Sequence, residues 1–193
     1  YGTDSFVLTA SGDDSTSDSE TISITVNNEA ENSIVINDGV LQTTGETGTY
    51  ASGSIGTNTI TNEVTIELKI NLSEIGSTQT LATLFDTNGS ARYAPVIRTT
   101  GELYFFTSSG SVDSEIILST DTWYDIALTY DGTTLKGYLD GSLVASEDIS
   151  GMSLSNAAQS ILIGERYTGG TNVTNGLFDE VKVWSTARTA EQI

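Results

Sequence analysis

Carboxylate, tyrosine and lysine side chains must supply any catalytic chemistry in this chain, because its 193 residues include no histidine and no cysteine. Their absence excludes Ser/His triads, Cys/His pairs and histidine-ligated zinc. A glycosidase built on a β-sheet needs two or three carboxylates at alternate positions of one strand face, so that acid and nucleophile reach the same glycosidic bond. No Glu-x-Asp-x-Glu run of that type occurs.

Asp179 and Glu180 form the acidic pair that comes nearest to a catalytic arrangement. Neighbouring residues on a strand point to opposite faces of the sheet, so this pair is not expected to line one cleft. The alternatives are a turn-forming Asp179 with a solvated Glu180, or a structural Ca²⁺ bound in part by Asp179. We therefore expect that the chain is not an enzyme.

One candidate binding loop follows a predicted strand over 81–86. Asp86 and Asn88 supply hard oxygen ligands beside a glycine that permits a tight turn, a composition that suits Ca²⁺. An ordinary Asx turn is the alternative interpretation. Arg92 and Tyr93, at the end of the same loop, are candidate ligand-binding residues.

A second candidate loop follows a predicted strand over 160–164 and contains Arg166 and Tyr167 beside two glycines. These side chains offer a hydrogen-bond donor and a stacking face for a sugar or peptide, and a plain surface loop is the alternative. Arg92, Arg98 and Arg166 are three of only 7 basic residues. Such cations suit an anionic ligand, for example a uronate or a C-terminal carboxylate, or they form ion pairs within the chain.

The composition limits the partners and the compartment. The chain has 26 acidic and 7 basic residues and a formal net charge of -19, which repels nucleic acid and anionic membranes. Bound Ca²⁺ would offset part of this charge. The lack of cysteine is ordinary for an exported bacterial protein. No apolar run predicts membrane insertion, and an export signal is expected to lie outside this sequence.

The elements that position these loops are predicted to be short β-strands separated by Gly, Asn, Asp and Ser clusters. The clearest alternation covers 63–70, where Val64, Ile66, Leu68 and Ile70 point to one face. Asp131-Gly132 and Asp140-Gly141 predict hairpin turns. The predicted strands are 5–10, 21–26, 63–70, 81–86, 95–99, 103–107, 123–130, 134–139, 143–147, 160–164 and 177–184. Core packing is assigned to the aromatic residues Phe85, Tyr104, Phe106, Trp123 and Trp184.

Two separated stretches carry a family resemblance. The run WYDIALTYDG at 123–132, continued by LKGYLDGSLV at 135–144, and the closing GLFDEVKVW at 176–184 resemble the laminin G and pentraxin-like members of the concanavalin A superfamily. The resemblance implies an all-β, two-sheet antiparallel concanavalin A-like jelly-roll sandwich with a short helix after the last strand. It also implies ligand binding on a concave face or on loops at one sheet edge.

The same resemblance bears on the metal. Pentraxin-like members bind Ca²⁺ through two loops, and the matching positions here place Asp86 and Asn88 in the first loop and Glu165 in the second. The second loop has one carboxylate where pentraxins have several, so a two-ion site is not expected. The metal candidates are therefore Asp86, Asn88 and Glu165, with Ca²⁺ as the ion.

The opening stretch YGTDSFVLTASGDDSTSDSETISITVNN resembles the last two strands of the cadherin-like or Ig-like repeats of large bacterial adhesins. A two-stranded hairpin is marginal alone, so it is expected to pair with other ordered strands. The predicted organisation is a repeat tail with an N-terminal β-hairpin at 1–28, a linker at 29–33 and a laminin G/concanavalin A-like domain at 34–193.

These observations predict a non-catalytic glycan-binding module of a secreted bacterial adhesin, with Ca²⁺ as a candidate cofactor. The expected partners are a glycan or other cell-surface ligand and neighbouring repeat domains of the same polypeptide, and the expected location is the bacterial cell surface. The alternative is a structural or protein-binding sandwich without a sugar site, because fold alone does not fix function.

Overall fold

The computed structural model describes residues 5–11, 19–26, 35–37, 40–54, 63–86, 89–149, 160–167 and 170–193. Over these ranges all the regular structure is β, and no helix long and apolar enough to cross a membrane occurs in them. The strands are β1 (Ser5–Ser11), β2 (Ser19–Val26), β3 (Val35–Asn37), β4 (Val40–Thr44), β5 (Ala51–Ser54), β6 (Val64–Leu72), β7 (Gln79–Thr80), β8 (Ala82–Phe85), β9 (Ala91–Ile97), β10 (Glu102–Thr107), β11 (Gly110–Ile117), β12 (Trp123–Tyr130), β13 (Thr134–Leu139), β14 (Ser142–Asp148), β15 (Ser160–Ile163) and β16 (Asn175–Trp184).

The strands of the described residues form two antiparallel sheets. Sheet A has the order β1-β2-β5-β15-β8-β9-β10-β11, with β7 paired to β9. Sheet B has the order β14-β13-β12-β6-β16-β4-β3. The expected all-β, two-sheet antiparallel sandwich is therefore confirmed.

The core lies between the sheets and follows the strand alternation. Along β6, Val64, Ile66, Leu68 and Ile70 are buried against sheet A, as their spacing predicts. The turns at Asp131-Gly132 and Asp140-Gly141 also join β12, β13 and β14 into the predicted meander. Burial of this apolar face fixes the register of β6, because a one-residue slip would turn its charged residues inward.

The N-terminal hairpin belongs to sheet A. β1 pairs with β2, and β2 pairs with β5 through Ile24 and Gly53, Thr25 and Ser52, and Val26 and Ala51. These strands therefore extend the sheet of the main sandwich, and the assignment of 1–28 to a repeat tail stays a prediction. The predicted linker at 29–33 lies outside the described residues.

Of the aromatic side chains assigned to core packing by sequence, Phe85 is buried, while the large aromatic residues between the two sheets are other ones. Along β10, Leu103 and Phe105 face inward, so Tyr104 and Phe106 face outward. Trp123 is 44% exposed, which makes its assignment to the core wrong. The four consecutive apolar residues of β10 carry no alternation from which the inward face could be read. The fully buried aromatic residues between the sheets are Tyr93, Phe105, Tyr130 and Phe178.

The segment after β16 contains a turn at 190–192, and the short helix that the resemblance implies is not formed within residues 185–193. The Gln192 and Ile193 backbone N–H groups donate to the Thr189 carbonyl at 3.0 and 3.2 Å. Thr189 N–H donates to the Gln192 side-chain oxygen at 2.8 Å. The bond from Ile193 to Thr189 spans four residues, which is the spacing of the first hydrogen bond of a helix.

Candidate functional site

The Asp86 side chain closes the turn between β8 and β9. Its carboxylate accepts a hydrogen bond from the Ser90 backbone N–H at 2.8 Å, and the Gly89 N–H donates to the Asp86 carbonyl at 3.0 Å. This is the Asx-type closure that was the alternative to a metal ligand. Asn88 lies outside the described residues, and no group of three or more Asp, Glu, His or Cys side chains that could hold a metal ion occurs within them.

Tyr93 is a core residue. It is 0% exposed, and its ring lies 5.8 Å from that of Tyr130 between the two sheets. The strand begins at Ala91 and pairs Tyr93 with Leu84, which places both side chains on the inner face. The assignment of Tyr93 to ligand binding is therefore wrong. Arg92 lies on β9 next to it, and its side chain is outside the described part of the structure.

Glu165 is buried and ties together the two ends of its loop. Its Oε1 atom accepts a hydrogen bond from the Gly170 backbone N–H. Gly164, with φ of 89°, turns the chain at the end of β15, and the Thr83 hydroxyl donates to the Glu165 carbonyl at 3.5 Å. One carboxylate oxygen of this predicted metal ligand is therefore engaged by the loop backbone.

Arg166 and Tyr167 come together on the outer face of sheet A, as their sequence proximity predicts. The Arg166 guanidinium lies 4.7 Å from the Phe106 ring centre and 5.4 Å from that of Tyr167. The Tyr167 ring meets Phe85 edge-on at 5.9 Å and is 42% exposed. We call Phe85, Phe106, Arg166 and Tyr167 the loop surface. The loop surface offers the exposed ring of Tyr167, next to an Arg166 guanidinium that already contacts two aromatic rings.

A second candidate surface lies on the outer face of sheet B, where sequence reasoning placed no site. On β6 the outward residues include Glu67 and Lys69. The strand register sets Lys69 opposite Asp125 of β12, and Glu67 opposite Lys182 of β16. Three neighbouring strands thus bring acidic and basic side chains into one patch of the sheet.

This patch is the floor of a groove of about 410 Å³, which we call the sheet B groove. Its lining residues are Glu67, Leu68, Lys69, Asp125, Ile126, Ala127, Asp140, Gly141, Glu180, Lys182 and Ile193. Trp123 lies two residues before Asp125 on the same face of β12, opposite Asn71. An exposed indole therefore stands beside a groove with charged walls.

A β-bulge in β16 puts Asp179 and Glu180 on the same outer face. The pairing of β16 with β6 shifts between Asp179 and Lys182, and Glu180 has a φ of 47°. Phe178 and Val181 on either side of the pair are both buried in the core. The expectation that Asp179 and Glu180 point to opposite faces is therefore wrong, because the extra residue of the bulge interrupts the alternation.

Glu180 is the electrostatic centre of the sheet B groove. Its two carboxylate oxygens accept hydrogen bonds from Lys69 and Lys182, each at 2.9 Å. These bonds lower the pKa of Glu180 to about 2, so the carboxylate is ionised at neutral pH. Lys69 also lies 3.9 Å from Asp125. The network fixes donors and acceptors in known positions along the groove.

Glu67 differs from Glu180 in its burial and in the direction of its pKa shift. Burial raises the pKa of Glu67, and the nearby Arg188 guanidinium offsets part of that rise. The Arg188 Nε atom lies 3.0 Å from the Glu67 carboxylate, and both side chains are 17% exposed. Hydrolysis would need one carboxyl free to donate a proton and another free to attack. Here one carboxylate is held by two lysines and the other by an arginine, an arrangement suited to binding.

Residues 185–193 cross the outer face of sheet B next to the groove, and we call them the terminal strap. The Thr65 hydroxyl donates to the Thr186 carbonyl at 2.8 Å and accepts from the Arg188 N–H at 2.9 Å. The Arg188 guanidinium covers the Trp184 ring at 3.9 Å. Ile193 then lines the sheet B groove. The strap thus forms one wall of the groove.

Sequence signals for this groove exist, although no single one is decisive. The polar face of β6 is visible as Glu67 and Lys69, and the alternation of β12 puts Trp123 on the side of Asp125. The contribution of Glu180 depends on the bulge, and that of the strap depends on long-range hydrogen bonds. Neither of these two features can be read from local residue patterns.

Comparison with known families and structures agrees with this architecture. The family model described as the Concanavalin A-like lectin/glucanases superfamily, of laminin G type, matches residues 43–193, which is more than half of the chain. No curated protein sequence matches this chain.

Three solved structures illustrate the similarity. Domain 4 of the GH43 extracellular arabinanase AbnA from Geobacillus stearothermophilus, solved with arabinotriose, is 18% identical with a TM-score of 0.64, covering 97% of this chain and 96% of that one. The SAP-like pentraxin of Limulus polyphemus is 17% identical with a TM-score of 0.61, covering 74% and 72%. The botulinum neurotoxin serotype D binding domain is 14% identical with a TM-score of 0.68, covering 96% of this chain and 48% of the toxin domain. At these identities the likeness shows the fold, and this chain spans about half of the toxin domain.

Proposed function

The chain belongs to the concanavalin A-like lectin/glucanase superfamily, and on that premise we propose that it is a non-catalytic glycan-binding module. The observation that carries the proposal is the exposed Trp123 ring on the outer face of sheet B, two residues from Asp125 of the sheet B groove. An indole face packs against the apolar face of a sugar ring, while charged side chains bond its hydroxyl groups. The groove supplies the charged side chains, and Trp123 lies two residues before the groove residue Asp125 on the same face of β12.

The fixed charges of the groove support sugar binding. Glu180 is held between Lys69 and Lys182, and the Asp140 carboxylate accepts a hydrogen bond from the Asp125 backbone N–H at 2.9 Å. Side chains held in place lose little conformational entropy when a ligand binds. A ligand rich in hydroxyl groups would therefore meet preorganised partners.

Two structural neighbours add support by analogy. The arabinanase domain was solved in complex with arabinotriose, and a botulinum neurotoxin serotype D ligand binding domain was solved in complex with N-acetylneuraminic acid. These ligands belong to those proteins. They indicate that sandwiches of this shape accommodate sugars, and the fold alone does not transfer the ligand.

The biological setting proposed is the surface of a bacterium, as part of a secreted adhesin with neighbouring repeat domains. The support is the lack of cysteine, the net charge of -19 and the resemblance of residues 1–28 to adhesin repeats. Calcium dependence is part of the same proposal, supported by the acidic composition and by the oxygen-rich turn that contains Asp86.

A structural or protein-binding module is the second candidate, because both predicted binding loops are closed by their own hydrogen bonds. Asp86 accepts from Ser90, and Glu165 accepts from Gly170. Loops closed in this way are typical of a spacer domain. The loop surface nevertheless keeps Tyr167 exposed, so it serves as the comparison surface in the test below.

The test is an array of neutral and acidic glycans probed with the wild type, Trp123→Ala and Tyr167→Ala. We expect the wild type to retain a set of glycans, Trp123→Ala to bind them about tenfold or more weakly, and Tyr167→Ala to bind them like the wild type. Both substitutions remove an exposed aromatic ring, so each controls for the other.

The opposite pattern would move the sugar site to the loop surface. A wild type that binds no glycan on the array would overturn the lectin proposal in favour of the structural module. Circular dichroism of both variants establishes that they are folded.

A further inference from the structure

We propose that the sheet B groove recognises the end of a neutral glycan chain and not its interior. This inference rests on the proposed function and adds the class of ligand. It is carried by the shape of the groove, which the terminal strap bounds on one side, and by the charges that line it.

The closed side of the groove is at the level of Thr65 and Glu67. The strap is fixed there by hydrogen bonds between Thr65 and Arg188 and by the ion pair of Arg188 with Glu67. Ile193 then reaches the groove and lines it together with Ala127. A sugar chain lying along β6 would meet this wall.

Lys69 is the groove residue of β6 farthest from the strap, and Asn71, opposite Trp123 of β12, lies two residues beyond it. From Glu67 to Asn71 the strand advances about 13 Å, at roughly 3.3 Å for each residue. A chain end placed over Lys69 would therefore have its next units near Trp123. The following units would lie beyond the groove in solvent.

The charges of the groove favour a neutral sugar. Four carboxylates line it, Glu67, Asp125, Asp140 and Glu180, against the two lysines Lys69 and Lys182. Both lysines are already bonded to Glu180 at 2.9 Å. A uronate or sialate carboxylate would find its cationic partners engaged and would be repelled by the remaining acidic side chains. Hydroxyl groups carry no such penalty.

The experiment is isothermal titration of the whole chain with arabino-, xylo- and malto-oligosaccharides of two to six units, and with oligogalacturonides as the acidic probe. We expect one neutral series to bind, with a Kd that changes by less than about twofold from three units to six, because further units reach solvent. A Kd that tightens by about tenfold over the same lengths would overturn end recognition and leave the lectin proposal standing.

Tighter binding of the oligogalacturonides would overturn the neutral ligand class. If none of these probes binds, the proposal that the groove recognises the end of a neutral glycan is overturned. The glycan array then decides separately whether the protein is a lectin. In a variant that lacks residues 191–193, and that is folded by circular dichroism, we expect the longer oligosaccharides to gain affinity. An unchanged length profile in that variant would show that the strap does not close the groove.

Discussion

The ring of Phe105 in sheet A lies directly against the backbone of Gly137 in sheet B. A Cβ atom placed on Gly137 would be 1.9 Å from Cε2 and 2.4 Å from Cζ of that ring. Phe105 is fully buried, and β10 and β13 are close at this point. The two sheets therefore approach each other as closely as a residue without a side chain allows.

Gly137→Ala is expected to lower the free energy of unfolding by about 3 kcal/mol, because the added methyl group must displace a buried ring. Gly110→Ala is the matched control, since the nearest atom to its new Cβ would be Ile149 Cδ1 at 3.4 Å. Urea unfolding of both variants measures the difference. Equal midpoints for the two variants would contradict the contact.

Glu180→Gln is expected to destabilise the fold at neutral pH and to have no effect at low pH. The folded-state pKa of Glu180 is lowered to about 2 from a usual 4.5. The stability that its ionisation contributes is therefore present above about pH 4.5 and is lost as the pH falls towards 2. Because the side chain is 45% exposed, we expect less than about 1 kcal/mol.

The measurement for Glu180 is the Tm of the wild type and of Glu180→Gln at pH 7 and at pH 2, in low salt and in 1 M salt. The difference between the proteins should shrink in high salt, because the ion pairs are exposed to solvent. A difference that is larger at pH 2 than at pH 7 would have the wrong sign for this ion pair.

The outward position of Trp123 and the inward position of Tyr93 predict opposite effects on stability. Tyr93→Ala should cost about 4 kcal/mol because it opens a cavity between the sheets. Trp123→Ala should cost less than about 1 kcal/mol, since its ring is exposed. Thermal unfolding of the two variants compares them directly. A large loss in Trp123→Ala would place that ring in the core after all.

The double substitution Asp86→Ala and Asn88→Ala tests the calcium proposal. Loss of the hydrogen bond from Ser90 to Asp86 predicts a lower Tm even in the presence of a chelator. The second measurement is the Tm with millimolar Ca²⁺. A rise in the wild type that disappears in the variant would place an ion in this turn, because bound ions stabilise by mass action. A rise of equal size in both proteins would place any bound ion elsewhere.

The engagement of Glu67 and Glu180 by basic side chains predicts that the chain does not hydrolyse the glycans it binds. When the chain is incubated for a day with polysaccharides that it binds, the concentration of reducing ends should stay at the level of a control without protein. If the wild type releases reducing ends and Glu67→Gln does not, Glu67 acts as an acid catalyst, a role that its raised pKa would suit.

Sequence patterns predict this fold better than they predict its site. The alternation of Val64, Ile66, Leu68 and Ile70 identifies the inner face of β6, and the Asp-Gly turns identify the meander. The groove escapes prediction because its parts depend on distant contacts. Glu180 lines the groove because of a bulge that the alternating pattern of β16 does not predict. Ile193 lines it on a strap that is held by the hydrogen bond between Arg188 and Thr65.

One strand at the edge of sheet A also escapes a local pattern. β11 contains Asp113, Ser114 and Glu115, a polar run that lies at the edge of sheet A and includes a φ of 60° at Glu115. Polar residues and irregular backbone at an edge strand hinder pairing with other chains. These features hide the strand from a search for apolar alternation.

The position of β16 sets the order in which the protein can fold. This last strand lies between β6 and β4, so β3 and β4 cannot join the rest of sheet B until residues 175–184 have been made. At about 5–20 residues per second, a ribosome makes β3 and β4 several seconds or more before β16. Sheet B therefore closes only after nearly all of this sequence has left the ribosome. Until β16 is in place, the edges of β6 and β4 that pair with it stay open, so a chain that stops short of this strand cannot complete sheet B.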